Sequence, residues 1–470
     1  MAATRGFESD PAYTEWFASE RKPRKSAKEL KQIEDHLRQT ALEELARFRD
    51  MDATEYMLWH KFNEIQEWLP KQSKSHIDWV RRNIWKPKGR SDFRRIAPEL
   101  IFVKEDYSLK SKNIWGEGVA NIIRNEEPYA QHWEIMRTLI STGRNDGTIG
   151  RALRFIVRDR NTKAYLGVIC LSSSMAMLKP RNDAIGLRDS KKFFVKGSRL
   201  LLNVANGQSI VPTQPFGSSY LGGKLLSLLC LSDVVADKWK EQYGQTLVEV
   251  DTTSLWGEMK GGQSQYDNLN PYWDSKLGDT QGQTPLKPSD ATYFQIREWM
   301  RMVHPQEFYR YFVELGASGQ LKMRENKTRA ILFCFKKLGI KKEEFMSDHK
   351  RGVYRSRLYK NTDEFLRDEI NEDQLIPAFD NSVDALTEFW KFGSMGDTKV
   401  LDPDAKAKLK NDPKKIANKV RMKGMVKGQI DSRDPSHRVP IQGNQVDWYQ
   451  DLGTMTWQQA KAKYLLEVGR

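Results

Sequence analysis

Residues 153–171 read LRFIVRDRNTKAYLGVICL, two apolar runs on either side of a polar turn. Both runs, Leu153–Val157 and Tyr165–Leu171, are rich in β-branched and aromatic side chains, which favour strands. The polar residues between them are few enough for a hairpin connection. We therefore predict an antiparallel strand pair in this stretch.

The segments around the hairpin predict a sheet with helices against it. Further strands are predicted at Leu100–Val103, Leu200–Val204, Thr246–Val250 and Arg351–Tyr359, and helices within 115–140, 187–200, 290–346 and 361–392. A glycine-containing turn after Pro215 should open an apolar helix from Leu221 to about Tyr243. This order indicates an α+β (α/β) core, a mixed sheet flanked by helices.

The chain is predicted to have helical extensions at both ends of this core. Apolar residues at helical spacing indicate helices over 26–50 and 51–85, with a break at Pro70. The predicted divisions are a helical basic region at 1–95, the core at 96–365, and a helical, basic extension at 366–470. The basic residues of the first region either contact DNA or form a solvated helix face, and they include Lys71, Lys74, Arg81, Arg82, Lys86, Lys88, Arg90, Arg94 and Arg95.

Charge is the strongest compositional signal. The 470 residues carry a formal net charge of +15, and 39% are hydrophobic, so the chain is expected to fold and to bind polyanions such as DNA. The run 405–428 is rich in lysine and contains one acidic residue, Asp412. It is expected either to contact phosphates or to remain a solvated tail. The phosphate-binding candidates in this run are Lys414, Lys415, Lys419 and Arg421.

Several classes are disfavoured. The three cysteines, Cys170, Cys230 and Cys334, lie in apolar runs, and the seven histidines show no metal-ligand spacing, so neither a disulfide framework nor a metal site is expected. The N-terminus is too acidic and polar for a signal peptide, and no run approaches the ~20 apolar residues of a membrane span. We expect a cytoplasmic protein that does not bind membranes.

Two segments could bind an anionic donor or phosphate. Leu221-Gly222-Gly223-Lys224 stands at the predicted start of an apolar helix, where free N–H groups can hold an anion; otherwise the glycines serve close packing. Lys179 to Asp183 follows a predicted strand and offers a cation, Arg181, beside a carboxylate, Asp183. This segment could bind phosphate or form a structural turn.

Two further segments carry candidate catalytic residues. Asp251 follows a predicted strand, where it could act as a base, orient a partner or cap a turn. Tyr266 could donate a proton, and Trp273 could stack on an extruded base. Alternatively, these aromatic residues pack a loop against the core.

In this order, the segments resemble the DruA-type family of Druantia anti-phage systems, which also occurs in phage genomes. The resemblance covers about 95–365 and is most specific where Tyr266 and Trp273 precede LGDTQG at 277–282; it includes RNDAIG at 181–186 and LLLNVAN at 200–206. It implies a role in phage–host DNA conflict, with possible protein partners in a defence system.

The same closing pattern is more distantly similar to Mom-type phage proteins, which modify adenine in DNA and share the GCN5-related acyltransferase fold. In that comparison Tyr220–Lys224 matches the pyrophosphate loop. The match departs where Ser219 replaces the usual Gln or Arg and Lys224 replaces a small residue. The resemblance therefore leaves the donor unknown, with an acyl-coenzyme A-like molecule as one possibility.

These observations give a leading hypothesis and two alternatives. The first is a DNA-modifying transferase in which Tyr266 is the acid, Asp251 the base or orienter, and Trp273 the stacking residue, with Asp183 as a further carboxylate. The second is a non-catalytic DNA-binding component of a defence or counter-defence complex. The third is a nuclease or transposase, which the absence of a spaced carboxylate cluster disfavours.

Overall fold

The structure is a computed structural model that describes part of the chain. The described residues are 11–19, 25–86, 92–103, 129–144, 151–187, 201–254, 264–267, 269–280, 284–309, 327–347, 350–392 and 448–465. The predicted helix at 187–200 and the basic run 405–428, with Lys414, Lys415, Lys419 and Arg421, lie outside these ranges. No helix in the described ranges is long and apolar enough to cross a membrane.

Helices occur along the whole described chain. They are α1 (Pro11–Ser19), α2 (Ala27–Arg49), α3 (Ala53–Trp68), α4 (Lys74–Arg82), α5 (Tyr129–Ile140), α6 (Lys179–Ile185), α7 (Phe216–Tyr220), α8 (Gly222–Leu229), α9 (Asp233–Tyr243), α10 (Asp290–Val303), α11 (Pro305–Phe308), α12 (Lys327–Lys337), α13 (Lys342–Phe345), α14 (Thr362–Leu366), α15 (Val383–Phe392) and α16 (Trp457–Tyr464). Short 3-10 turns include Leu69–Lys71, so the predicted break at Pro70 is confirmed.

The strands form one large sheet and one small one within the described residues. They are β1 (Pro98–Val103), β2 (Ala152–Asp159), β3 (Tyr165–Ser173), β4 (Val204–Pro212), β5 (Glu249–Ser254), β6 (Gly278–Asp279), β7 (Thr284–Pro285), β8 (Met346–Ser347) and β9 (Gly352–Arg357). The large sheet has the order β1-β2-β3-β4-β5-β9-β6, with β4 and β5 parallel and the other pairs antiparallel. The predicted mixed sheet with flanking helices is thus confirmed.

The chain divides into two compact units. The first comprises Met1–Tyr56, Asp106–Asn121 and Gly282–His349, and the second comprises the remaining residues. In the first unit Glu44 of α2 accepts hydrogen bonds from Ser289 and Thr292 at the start of α10. The second unit holds the large sheet. The three predicted divisions, 1–95, 96–365 and 366–470, remain predictions.

The predicted hairpin is confirmed. In the structure β2 and β3 pair antiparallel, with Phe155 opposite Ile169 and Val157 opposite Gly167. Their side chains are almost all buried because helices pack against both faces of the sheet. A buried strand pair of this kind carries the continuous apolar runs seen in the sequence.

Three predicted elements differ from the structure. The strand predicted at Leu200–Val204 begins only at Val204, after a 3-10 turn, and runs on to Pro212 through polar residues that the apolar pattern missed. The single helix predicted from Leu221 is two helices, because Ser232 adopts an extended conformation as the N-cap of α9. The strand predicted at Thr246–Val250 begins at Glu249, so Asp251 lies inside β5 and not at its end.

Candidate nucleic-acid interface and a buried charge network

The alternating direction of side chains along β5 separates the candidate catalytic residues. Successive side chains of a strand point to opposite faces of the sheet. Asp251 faces the same side as Arg355, its partner on β9, whereas Thr252 faces the other side with its partner Tyr354. Tyr266 lies on the side of Thr252, since its ring centroid is 5.2 Å from that of Tyr354. The structure therefore does not bring Tyr266 and Asp251 together.

Asp251 forms a fully buried ion pair with Arg181. Arg181 Nη1 donates to Asp251 Oδ2 at 2.6 Å, and neither side chain is exposed. The Ser174 hydroxyl donates to the same oxygen, and Asn206 Nδ2 donates to Oδ1 at 2.7 Å. A buried carboxylate with hydrogen bonds to both oxygens suits a structural or orienting role.

Arg181, which the sequence predicts as a nucleic-acid contact, lies inside the protein in this structure. Its side chain is buried, and Nη2 donates to the Met175 carbonyl at 2.6 Å while Nε donates to Asn182. The reason is the pitch of α6, which turns Arg181 towards the sheet. Asp183 instead points outward on the same helix and pairs with exposed Lys179.

A second buried carboxylate, Glu249, lies two residues before Asp251 on the same face. Arg355 Nη2 is 3.2 Å from Glu249 Oε2 and also bonds to Asp363. Within the described part of the chain, neither Glu249 oxygen accepts a hydrogen bond. Burial outweighs the attraction of Arg355 and raises the pKa of Glu249 to about 7. We call Arg181, Glu249, Asp251 and Arg355 the buried charge network; Asn206 and Asp363 are its half-buried partners.

The opposite face of the sheet holds Tyr266 and Trp273 in the aromatic core. Their ring centroids are 4.7 Å apart, and Trp273 is 1% exposed, with its indole N–H donating to the Ser227 carbonyl at 3.0 Å. Burial raises the pKa of the Tyr266 phenol, which therefore stays protonated. Trp273 presents no open ring face for a nucleobase in this conformation.

The turn that contains Gly222 and Gly223 lies close to Tyr266, but side chains of the protein occupy the space around the two glycines. A Cβ on Gly222 would lie 2.4 Å from the Phe216 ring, and one on Gly223 would lie 2.6 Å from Gln265 Oε1. The left-handed residue Leu221 precedes them, and the Lys224 ammonium donates to the Asp267 carbonyl. The positions predicted for an anionic donor thus serve close packing here.

Six exposed cations of the second unit lie on the β2–β3 turn or on segments that are hydrogen-bonded to this hairpin. Arg81 and Arg82 end α4, the chain continues through Lys86, and Arg94 and Arg95 follow in the next 3-10 turn. The β2–β3 turn contributes Arg160. All six side chains are exposed, and we call them the basic surface.

Backbone contacts hold the parts of the basic surface together. Asn83 and Trp85 exchange hydrogen bonds with Tyr165, at 2.8 and 2.9 Å. Arg160 N donates to Ala97 O at 2.7 Å, and Asn161 Nδ2 donates to Arg95 O at 2.8 Å. These bonds hold the end of α4 and the 3-10 turn each against the hairpin, so the fold of the unit sets their positions.

Most cations of the basic surface make no ion pair within the part of the chain that the structure describes. Arg82, Lys86, Arg94, Arg95 and Arg160 make no ion pair with any carboxylate in the described ranges, and Arg81 lies 5.9 Å from the Trp448 ring centroid. Unpaired cations at this density raise the local potential and attract phosphates. This geometry is compatible with a DNA-contacting face and with a solvated basic face.

The sequence reasoning missed Glu249, Arg355 and Trp79. Glu249 had a detectable signal, because it lies two positions before Asp251 at a predicted strand and therefore on the same face. Arg355 also had one, because it lies in a strand predicted from alternation. Trp79 lies on α4 between buried Ile77 and Val80 and is 41% exposed, a position that only helix phase reveals. In the described ranges no group of three or more His, Cys, Asp or Glu side chains could hold a metal ion.

The second unit is therefore an α+β domain with a mixed sheet, a charged interior on one sheet face and an exposed cationic surface. Residues 119–368 match the model of the family described as Druantia protein DruA, which is more than half of the sequence. The chain belongs to the Druantia protein DruA family.

A curated relative agrees with this assignment. The chain is 26% identical over 219 residues to Druantia protein DruA of Escherichia coli (strain UMEA 4076-1), covering 42% of this chain and 51% of the relative. The chain thus spans about half the length of that relative. No solved structure matches the chain, and the similarity to Mom-type proteins and to the acyltransferase fold remains a prediction.

Proposed function

We propose that this chain is a non-catalytic DNA-binding component of an anti-phage defence system. Membership of the DruA family supports the defence setting. The basic surface of the second unit is the observation that carries DNA binding, because its cations are exposed, lie on backbone segments fixed by hydrogen bonds, and make no ion pair with a described carboxylate. Other proteins of the defence system are its proposed partners.

Phosphate contact is the chemistry that this surface suits best. Arginine forms strong charge-assisted hydrogen bonds to phosphate oxygens, and five of the six residues are arginines. Such contacts position a protein on DNA without reading its sequence. The run 405–428, with Lys414, Lys415, Lys419 and Arg421, is a second proposed phosphate contact.

The base-modifying transferase has less support from the geometry. Its proposed acid, Tyr266, and base, Asp251, face opposite sides of the sheet, and Trp273, Gly222 and Gly223 are buried. Mass spectrometry of nucleosides from cells that express the protein separates the two functions. A new nucleoside that disappears with Tyr266→Phe would overturn the non-catalytic proposal.

DNA binding is tested by the salt dependence of affinity for a mixed-sequence duplex. We expect Arg81→Gln/Arg82→Gln to weaken binding and to reduce the slope of log K against log salt by ~0.9 for each phosphate that the variant no longer neutralises. Lys341→Gln/Lys342→Gln is the matched control, since both lysines are exposed and the same number of charges is removed.

Two results would contradict the proposal. The first is a wild-type chain that binds DNA no better than an uncharged control protein. The second is an identical decrease of affinity in both double variants, which would mean that net charge and not this surface governs binding.

A further inference from the structure

Trp79 is the one large aromatic side chain of α4 that the protein leaves at the surface. It is 41% exposed, whereas Ile77 and Val80 beside it are buried. Arg82 lies three residues further along the helix and therefore on the same side, with about 5–6 Å between the two Cβ atoms. A flat apolar ring thus stands next to an exposed cation within the basic surface.

The inner face of the Trp79 ring is held by a buried support. The ring stacks on His132, with centroids 4.5 Å apart and planes 21° apart. His132 Nδ1 and the Tyr165 hydroxyl share a hydrogen bond of 2.8 Å, which fixes the imidazole. The Tyr165 ring, 6.1 Å from Trp79, belongs to this supporting group. The ring plane is therefore set before any ligand arrives, and 41% of the side chain remains exposed.

We propose that Trp79 is a stacking platform for an unpaired base, so that the basic surface prefers single-stranded DNA to duplex. The proposal rests on the proposed function and specifies the form of its ligand. In a duplex the base faces are covered by neighbouring base pairs, whereas single-stranded bases stack readily on aromatic side chains beside a cationic track. A preorganised ring loses little conformational freedom on binding.

The charge and the ring have separable effects. Phosphate contacts by Arg82 act on any nucleic acid and depend on salt, because they release counterions. Stacking on Trp79 requires a free base and changes no charge. Removal of the ring should therefore lower affinity for a single strand without changing its salt slope, and should leave duplex affinity intact.

The experiment compares the affinity of the full chain for a labelled single-stranded oligonucleotide and for a hairpin duplex with the same number of phosphates. The variants are Trp79→Leu, which keeps apolar bulk over His132 without a π face, and Trp79→Phe, which keeps a ring. We expect Trp79→Leu to bind the single strand roughly tenfold more weakly. Trp79→Phe should retain most of the affinity, and duplex binding should be unchanged by both.

The outcomes distinguish this inference from the proposed function. If the wild type binds neither DNA, the proposed function fails. If it binds but Trp79→Leu and Trp79→Phe behave alike on the single strand, or Trp79→Leu weakens both DNA forms equally, the stacking platform is refuted while DNA binding stands. Equal thermal unfolding midpoints for the two variants confirm that the comparison reports binding and not misfolding.

Discussion

Arginine appears in two opposite settings in the second unit. Arg181 and Arg355 lie under one face of the sheet, each beside carboxylates, whereas Arg81 and Arg82 stand at the surface. A buried cation without a partner is costly, so burial demands pairing, but an exposed cation keeps its water until a phosphate displaces it. A count of basic residues therefore predicts a polyanion partner but not which residues bind it.

The largest difference between the two settings is expected in stability. Arg181→Met leaves the buried Asp251 carboxylate without its ion-pair partner and with only Ser174 and Asn206 as donors, and should lower the free energy of unfolding by about 3–5 kcal/mol. Arg82→Met at the surface should change it by less than about 0.5 kcal/mol. Denaturant unfolding of the full chain measures both. Equal decreases in the two variants would mean that the buried pair is not a structural element.

An intermediate effect is expected from Glu249, through its dependence on pH. Burial raises its pKa to about 7, above the value in an unfolded chain. Between about pH 4.5 and pH 7, therefore, the carboxyl is protonated in the folded state but ionised in the unfolded state. Wild-type stability should fall relative to Glu249→Gln as the pH rises through this window, by on the order of 1–3 kcal/mol, and the difference should be constant above it.

Glu241 offers a control of opposite sign for that measurement. Its pKa is lowered by a hydrogen bond from Lys238 at the surface of α9. Wild-type stability should therefore fall relative to Glu241→Gln as the pH decreases through the acidic range. Unfolding free energies measured from about pH 3 to about pH 8 that show the same trend for Glu249→Gln and Glu241→Gln would contradict the assignment for Glu249.

The smallest effect on stability is expected at the basic surface. Arg94→Gln/Arg95→Gln removes two exposed charges that make no ion pair with a described carboxylate, so the unfolding midpoint should barely move. DNA affinity should fall measurably in the same preparation because the variant removes two of the cations proposed to bind phosphate. A variant with a clearly lowered unfolding midpoint and wild-type DNA affinity would mean that these surface arginines stabilise the fold and do not bind DNA.

The parts of the fold that the sequence predicted share one property, namely apolar runs with a clear period. The β2–β3 hairpin, β1 and β9 all have it. Strand β4 lacks it because Asn206, Gly207, Gln208 and Ser209 interrupt the apolar pattern. Asn206 donates to Asp251, and Ser209 accepts a hydrogen bond from Arg137 at 2.7 Å, so these polar residues are paired inside the protein. Such long-range pairing leaves no local sequence signal.

The candidate site is harder to predict than the fold, since it depends on which face each side chain takes. The predicted start of β5 at Thr246 makes Asp251 a loop-facing base at a strand end, whereas the strand that begins at Glu249 places it under the sheet. Arg81 and Arg82 are exposed on a basic helix, as the sequence predicts. Arg160 lies beside the 94–97 turn only because the hairpin pairs with that turn, which no local pattern encodes.

The strand order has a consequence for the emergence of the chain from the ribosome. Strand β5 pairs with β4 on one side, but its other neighbour, β9, is translated about 100 residues later. At ~5–20 residues per second the unpaired edge of β5 stays open for about 5–20 s. During that interval Glu249 has no Arg355 beside it, so the nascent half-sheet carries an uncompensated negative charge. Arrival of β9 closes the hydrogen-bonding edge and supplies the missing cation in the same step.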